Sequence, residues 1–422
     1  MEGKKDSGRK RKPEIAILAG AALVALGCWF LSSEDRGEAA AESVRTNSRL
    51  IAEAKPRIAK AREAEDRTVS DGEPPESAQA PLFAVGGRRF RSLQDAVDAA
   101  EPGATVTLEG NAYMRNPVAI RKALTLNLNG FRLLAKNSAL AGGRGCRKGV
   151  FAEGAHALTV FGNQQVTVEN GFIDVESNDG TGGFTGAVET VPDPGAAASR
   201  QQGPKNDDWK FDVVLRDLEV TSDAARDGVF RNADCKMLID NCSVHSTGGN
   251  GSYTLGKGSE TTIRGSEFLT TGTDGDLGYW NNTVAVAYDG HTTVESGTYV
   301  TQMAEGVEGT TYGTYVYSSG GTIDVKDGEF QADHVVEVNK DVSKYGEEYG
   351  VAEVVIQDGT LSGKLNTWTS GETDESQAGV SAYGGVYDNA PAAEQVPNGR
   401  EVVDYGDGTY SVEKSSQQNY RR

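Results

Sequence analysis

The chain has 422 residues, of which 53 are glycine, with 37% hydrophobic and 7% aromatic content and a formal charge of −19. The six cations up to Lys12 outweigh Glu2 and Asp6 by four, which leaves −23 on the remainder. So acidic a body repels phosphate backbones and argues against nucleic acid as a partner, while glycine-rich sequence of this length suits a solenoid with many corners.

Residues 1–14 form a basic tail carrying Lys4, Lys5, Arg9, Lys10, Arg11 and Lys12. Ile15–Leu31 is an uncharged run of 17 residues, so residues 15–33 are expected to form a single transmembrane anchor, with the tail cytoplasmic and the rest of the chain outside. A cleaved signal segment is the alternative, since Gly37–Ala41 leaves room for a cleavage site. A lipoprotein reading would use Cys28, but Ala25 stands where a leucine is usual and Trp29–Leu31 stays apolar beyond it. Residues 34–81 are expected to be a helical stalk and linker. Val44, Ile51 and Ile58 recur every seven residues, Pro56 interrupts them, and Ser70–Pro81 is a Pro/Ser/acidic spacer.

From residue 82 to 413 the pattern changes. Ser92 and Asp95 open a short amphipathic helix whose apolar face is Leu93, Ala96 and Val97. A strand follows at Gly103–Leu108, then an early coil at Leu124–Leu134. A six-residue motif then recurs seven times, beginning at Val168, Leu215, Ile239, Ile263, Val294, Val325 and Ile356, with intervals of 47, 24, 24, 31, 31 and 31 residues. Such periods indicate stacked coils. Two residues before each start lies another inward-facing residue, the period of a strand. The third motif position, Asn170, Asp217, Asn241, Gly265, Ser296, Asp327 and Asp358, supplies residues that tolerate a left-handed corner. A second apolar column follows at Ile173, Val220, Val244, Phe268, Tyr299, Phe330 and Leu361, and a further strand-like stretch recurs later in most units, as at Val335–Val338. Three strands per turn predict a parallel β-helix.

The outward position of the first strand reads Glu169, Arg216, Asp240, Arg264, Glu295, Lys326 and Gln357, a ladder of alternating charge that holds register and does not converge on one place. Of the four cysteines, Cys235 and Cys242 flank one strand, and Cys242 occupies a corner slot suited to a buried small thiol. With Cys28, Cys146 and the four histidines scattered, a structural zinc or a Cys–His nucleophile has no support.

FRSLQDAVDAAEPGATVTLEG (90–110) followed by LTLNLNGFRL resembles the opening of pectate-lyase-like (pectin lyase-like) right-handed parallel β-helix domains of bacterial cell-surface proteins. The segment 402–413, VVDYGDGTYSVE, resembles the closing hairpin of the same proteins, so the resemblance spans about residues 83–413. It implies an all-β, right-handed solenoid capped by the short helix. It does not imply one activity, because the superfamily holds lyases, hydrolases and non-catalytic surface modules.

Function is expected where the coils depart from regularity, at insertions 191–209, 271–282 and 339–350. The candidate ligand-binding residues are Trp209, Asp274, Asp276, Tyr279, Trp280 and Asp289: aromatics that can stack on a sugar ring, and carboxylates that accept hydroxyls or can hold Ca²⁺. Tyr279 and Trp280 could equally fold back as a loop anchor. Polygalacturonase-type relatives carry Asp-Asp, Gly-His-Gly and Arg-x-Lys motifs; here Asp289-Gly290-His291 is a partial echo, Asp207-Asp208 lies in a loop, and no catalytic residue is assigned. The expected function is a membrane-anchored, extracytoplasmic, non-catalytic binding or adhesion module for envelope or host glycans. The alternatives are a polysaccharide lyase or glycoside hydrolase acting on acidic polysaccharide, and a structural envelope component.

Overall fold

The computed structural model describes residues 82–415 except Arg115, residues 137–154, Asn163, residues 177–183, 192–210, 224–227, Asp234 and residues 274–280, 342–349 and 371–377. The expected anchor, stalk and linker in residues 1–81 and the terminal residues 416–422 lie outside it. Among the described residues no helix is long and apolar enough to cross a membrane.

The described residues are almost wholly β, and their strands pair in parallel from one coil to the next, the arrangement of a β-helix. Three sheets run along the stack. In sheet 1 one column passes through Val106, Leu126, Val168, Leu215, Ile239, Ile263, Val294, Val325, Ile356 and Ala382, each opposite the next. All seven motif starts therefore lie in one register line. All are buried. In sheet 2 the second apolar column runs from Leu133 and Ile173 through Val220, Val244, Phe268, Tyr299, Phe330 and Leu361 to Tyr387. Within it Phe268, Tyr299 and Phe330 stack with ring centroids 5.6 and 4.6 Å apart. Burial pushes the Tyr299 phenol pKa up, and its hydroxyl donates to Ser296 O at 3.0 Å.

The corner between sheets 1 and 2 is built in two ways. Asn170, Asp217, Asn241 and Gly265 are left-handed, with φ of 62, 52, 53 and 56°. Ser296, Asp327 and Asp358 are not; the glycine after each, Gly297, Gly328 and Gly359, turns instead at 136, 138 and 117°. The expected corner residue is thus displaced by one position in the last three motifs. Steric room explains the glycine: a Cβ on Gly297 would lie 2.2 Å from Ser266 O, and one on Gly359 would lie 2.6 Å from Gly328 O. The aspartates contribute from the preceding position, as Asp327 Oδ1 accepts from Gly328 N at 2.7 Å.

The outward ladder of sheet 1 forms as read. Arg264 binds Asp240 through two bonds of 2.8 Å, Arg216 approaches the same carboxylate at 3.6 Å, and Lys326 lies 3.9 Å from Glu295. The Arg264 hydrogen bonds, against partial burial, hold the Asp240 pKa below its ordinary value. Cys235 and Cys242 are free and buried, and burial pushes the Cys242 thiol up to about 12, which leaves it protonated and unreactive.

Both ends of the stack are closed. The helix Leu93–Ala99 buries Leu93, Ala96 and Val97, and Ser92 Oγ accepts from Asp95 N at 3.4 Å. Gln94 exchanges two hydrogen bonds with the backbone of Ala119, which ties the cap to the coil beneath. At the other end Arg400–Asp404 and Tyr410–Lys414 pair antiparallel, and the latter also pairs with Val386–Tyr387. Strand edges that would template end-to-end association are thereby covered.

Candidate functional site

Sheets 1 and 2 alternate inward burial with outward exposure; sheet 3 does not. Its strands Phe230–Ala233, Ser252–Leu255 and Val284–Ala287 are buried on both faces. The inner column is Val160, Thr190, Asn232, Thr254, Val286, Val316 and Val338. The outer column is Thr159, Glu189, Arg231, Tyr253, Ala285, Tyr315, Glu337 and Asn366. In the middle of this outer face Ala233, Tyr253, Leu255, Ala285, Ala287 and Tyr315 make an apolar cluster separate from the core, with Tyr312 and Tyr317 packed on it. The rings touch edge to face, Tyr253 to Tyr317 at 5.5 Å and Tyr312 to Tyr315 at 5.5 Å.

A His–Glu pair lies at each end of that aromatic patch. At the first, Glu189 accepts from Thr159 Oγ1 at 2.8 Å and Arg231 at 3.2 Å, and His156 Nδ1 stands 3.4 Å from it. The second ring nitrogen of His156 lies 2.9 Å from Gly228 O. Gly186 permits this approach, because a Cβ there would lie 2.4 Å from Gly228 O and 2.5 Å from His156 Nε2. His156, Glu189 and Arg231 are 1, 5 and 4% exposed. Burial drives the Glu189 pKa up, but the His156 charge and hydrogen bond, the Thr159 hydroxyl and the Arg231 charge outweigh it and hold it at about 2.

The second pair is open. His334 Nδ1 lies 2.9 Å from Glu337 Oε2, which also accepts from Asn366 Nδ2 at 2.8 Å. The Tyr312 ring stands edge-on to the imidazole at 5.3 Å, and Lys364 is opposite His334 on the next coil and exposed. The His334 side chain is 26% exposed, and its Nε2 makes no hydrogen bond among the described residues. Burial, with the Glu337 and Asp333 charges, raises the Tyr312 pKa, so the phenol keeps its proton as a donor. Further along the face Asn339 donates to the Tyr315 hydroxyl, and Trp368, opposite Asn339, is 48% exposed.

Two residues three apart on a strand normally face opposite ways. His334 and Glu337 share a face because the register shifts on both sides of His334, at Gln331/His334 and at His334/Val336. Such bulges re-aim side chains.

Of the candidates from sequence only Asp289 is among the described residues. Trp209, Asp274, Asp276, Tyr279 and Trp280 lie outside the described residues. Asp289 is at the corner from sheet 3 to sheet 1, with φ 61°, and its carboxylate accepts from Gly350 N at 2.7 Å, tying two coils together. The insertion expected from Asn339 begins later, since Asn339–Asp341 complete the strand Glu329–Asp341 and Lys340 is buried with its ammonium on Gly350 O at 2.5 Å. His291, of the partial motif echo, is on sheet 1 bonded to Thr322 at 2.6 Å. Among the described residues no group of three or more His, Cys, Asp and Glu is placed to hold a metal ion.

In chain position, the extra residues 137–154, 192–210, 274–280 and 342–349 all fall between strands at the two corners that border sheet 3, and none at the tight corner between sheets 1 and 2. No protein-family model matches the chain, and no curated protein or solved structure matches it either.

Proposed function

We propose that the chain is a membrane-anchored, extracytoplasmic, right-handed parallel β-helix of the pectate-lyase-like kind that binds polysaccharide along the outer face of sheet 3. The handedness follows the strong preference of parallel crossover connections. The anchor rests on the apolar run Ile15–Leu31 behind six cations. One observation carries the ligand class: beside the buried Tyr253 and Tyr315, the solvent-facing part of one sheet face holds the partly exposed Tyr312 and Tyr317 rings, the exposed Trp368 and the His334 imidazole. Sugar rings present apolar C–H faces and hydroxyl edges, and such a face offers a partner for each.

The test is retention of plant, host and bacterial polysaccharides on the immobilised full chain, with assay for new reducing or unsaturated ends. Retention without new ends, reduced on the order of tenfold by Trp368→Ala, supports a binding and adhesion module. Retention of nothing would leave a structural envelope component. A second reading, cleavage of the bound chain, is favoured by His334, whose Nδ1 is oriented by Glu337 while Nε2 makes no hydrogen bond among the described residues. That is the arrangement of a general base. New ends abolished by His334→Gln would establish it.

A further inference from the structure

The outer face of sheet 1 takes no part in the sheet 3 site, and we infer that it docks a second copy of this chain, face to face, with the two solenoid axes antiparallel. The register line of sheet 1 passes through ten strands. Their outer side carries a central stripe that includes Val214, Leu238 and Thr262, with a column of charge on either side of it.

The order of the charges selects the partner. From Glu169 through Arg216, Asp240, Arg264 and Glu295 to Lys326 the first column alternates, negative then positive, over six successive coils. A ladder of even length that alternates in this way is its own complement when turned end for end. A twofold axis along the strands, between the coils of Asp240 and Arg264, sets Glu169 against Lys326 of the second copy, Arg216 against Glu295, and Asp240 against Arg264. Each contact occurs twice by symmetry, and each brings opposite charges together. In the second column the same axis sets Lys236 against Glu260. It also bisects the ten strands, so the two faces overlap along their whole length.

Within one chain the outer rungs are loosely held. Arg264 takes both oxygens of Asp240, which leaves Arg216 at 3.6 Å from that carboxylate, and Lys326 stands 3.9 Å from Glu295. The Arg216 and Lys326 side chains are 43 and 55% exposed.

Charge at a larger scale chooses antiparallel over parallel copies. Residues 83–132 hold seven Lys/Arg against four Asp/Glu, a net +3, and residues 351–415 hold three against eleven, a net −8. Antiparallel copies lay each basic end beside an acidic end, whereas parallel copies lay −8 beside −8. Parallel copies also set Asp324, in the central column, against its own mate. Ten strands about 4.8 Å apart and about 17 Å long present roughly 700 Å², near the ~800 Å² per partner of a standard interface.

The test is the mass of the full chain in detergent, followed by analytical ultracentrifugation over a range of concentrations. Glu169 and Lys326 lie five coils apart in one chain, about 24 Å, so they cannot pair within it. Expected is a concentration-dependent dimer that Glu169→Lys and Lys326→Glu each weaken about tenfold or more, because each variant sets like charges opposite one another twice. Mixing the two variants restores dimers, now between unlike chains, and the double variant restores them in a single chain. An unchanged circular dichroism spectrum shows that each variant is folded. A monomer at every concentration overturns the proposal, as does a dimer indifferent to both substitutions, since such a dimer is held elsewhere. Weakening by each variant without recovery in the mixture or the double variant overturns the antiparallel pairing.

Discussion

The two His–Glu pairs of sheet 3 lie five coils apart, about 24 Å, and differ in how far the histidine is exposed, 1% for His156 and 26% for His334. Glu189 is enclosed: Thr159, Arg231 and His156 use its oxygens, and both imidazole nitrogens of His156 face oxygen acceptors. Glu337 is just as buried, at 6% against 5%, and is paired with His334 and Asn366, but the His334 side chain is 26% exposed and its Nε2 makes no hydrogen bond among the described residues. The same two residue types thus do different work. A fully enclosed pair specifies packing, and a pair whose histidine reaches solvent leaves that ring available to a ligand.

The largest expected effect is at the enclosed pair. Arg231→Ala leaves Glu189 buried with only His156 and the Thr159 hydroxyl beside it and should cost about 3–5 kcal/mol, read as a fall in the urea midpoint with an unchanged slope. A loss below about 1 kcal/mol would place this pair with solvent-exposed ion pairs.

Acid should separate the pairs next. Because the folded-state pKa of Glu189 is depressed from 4.5 to about 2, its stabilisation is complete above about pH 4.5 and is lost as pH falls toward 2. In Glu189→Gln that component of the acid unfolding curve should vanish. A curve parallel to wild type between pH 4.5 and 2 would contradict the assignment.

Smaller still is Thr159→Val, which removes one hydroxyl bond to Glu189 and should cost about 1–3 kcal/mol because the acceptor stays buried. At the second pair, Asn366→Ala should cost a similar amount, about 1–3 kcal/mol, because the Glu337 acceptor it leaves behind is also buried. Its effect should also appear in ligand retention. A stability loss equal to that of Arg231→Ala would remove the contrast between the pairs.

Much of the solenoid was legible in the sequence. The motif starts from Val168 to Ile356 fall in one register line, the Ile173 to Leu361 column stacks beneath the next corner, and the Glu169–Arg216–Asp240–Arg264 line is a surface ladder. These features follow from local period and near-neighbour stacking. The displaced corners at Gly297, Gly328 and Gly359 were less legible, because Asp-Gly and Ser-Gly offer two adjacent residues able to turn. A last coil at Ala378–Ala382 and Val386–Tyr387 lies beyond the seven motifs, with Gly384 in the slot that Gly265 fills earlier.

The site was not legible in that way. His334 and Glu337 stand three apart within a valine-rich strand, where alternation sends them to opposite faces, and only a register shift beside His334 brings them together. Likewise His156, Glu189 and Arg231 are 33 and 42 residues apart in steps that no motif marks. By itself, the sequence determined which residues face the core, how many enter each turn and where the chain bends, because a solenoid writes these into its period. Tertiary structure decided which outer face gathers the charged and aromatic groups, because that depends on cross-coil register and on one bulge, and neither has a local signature in the chain.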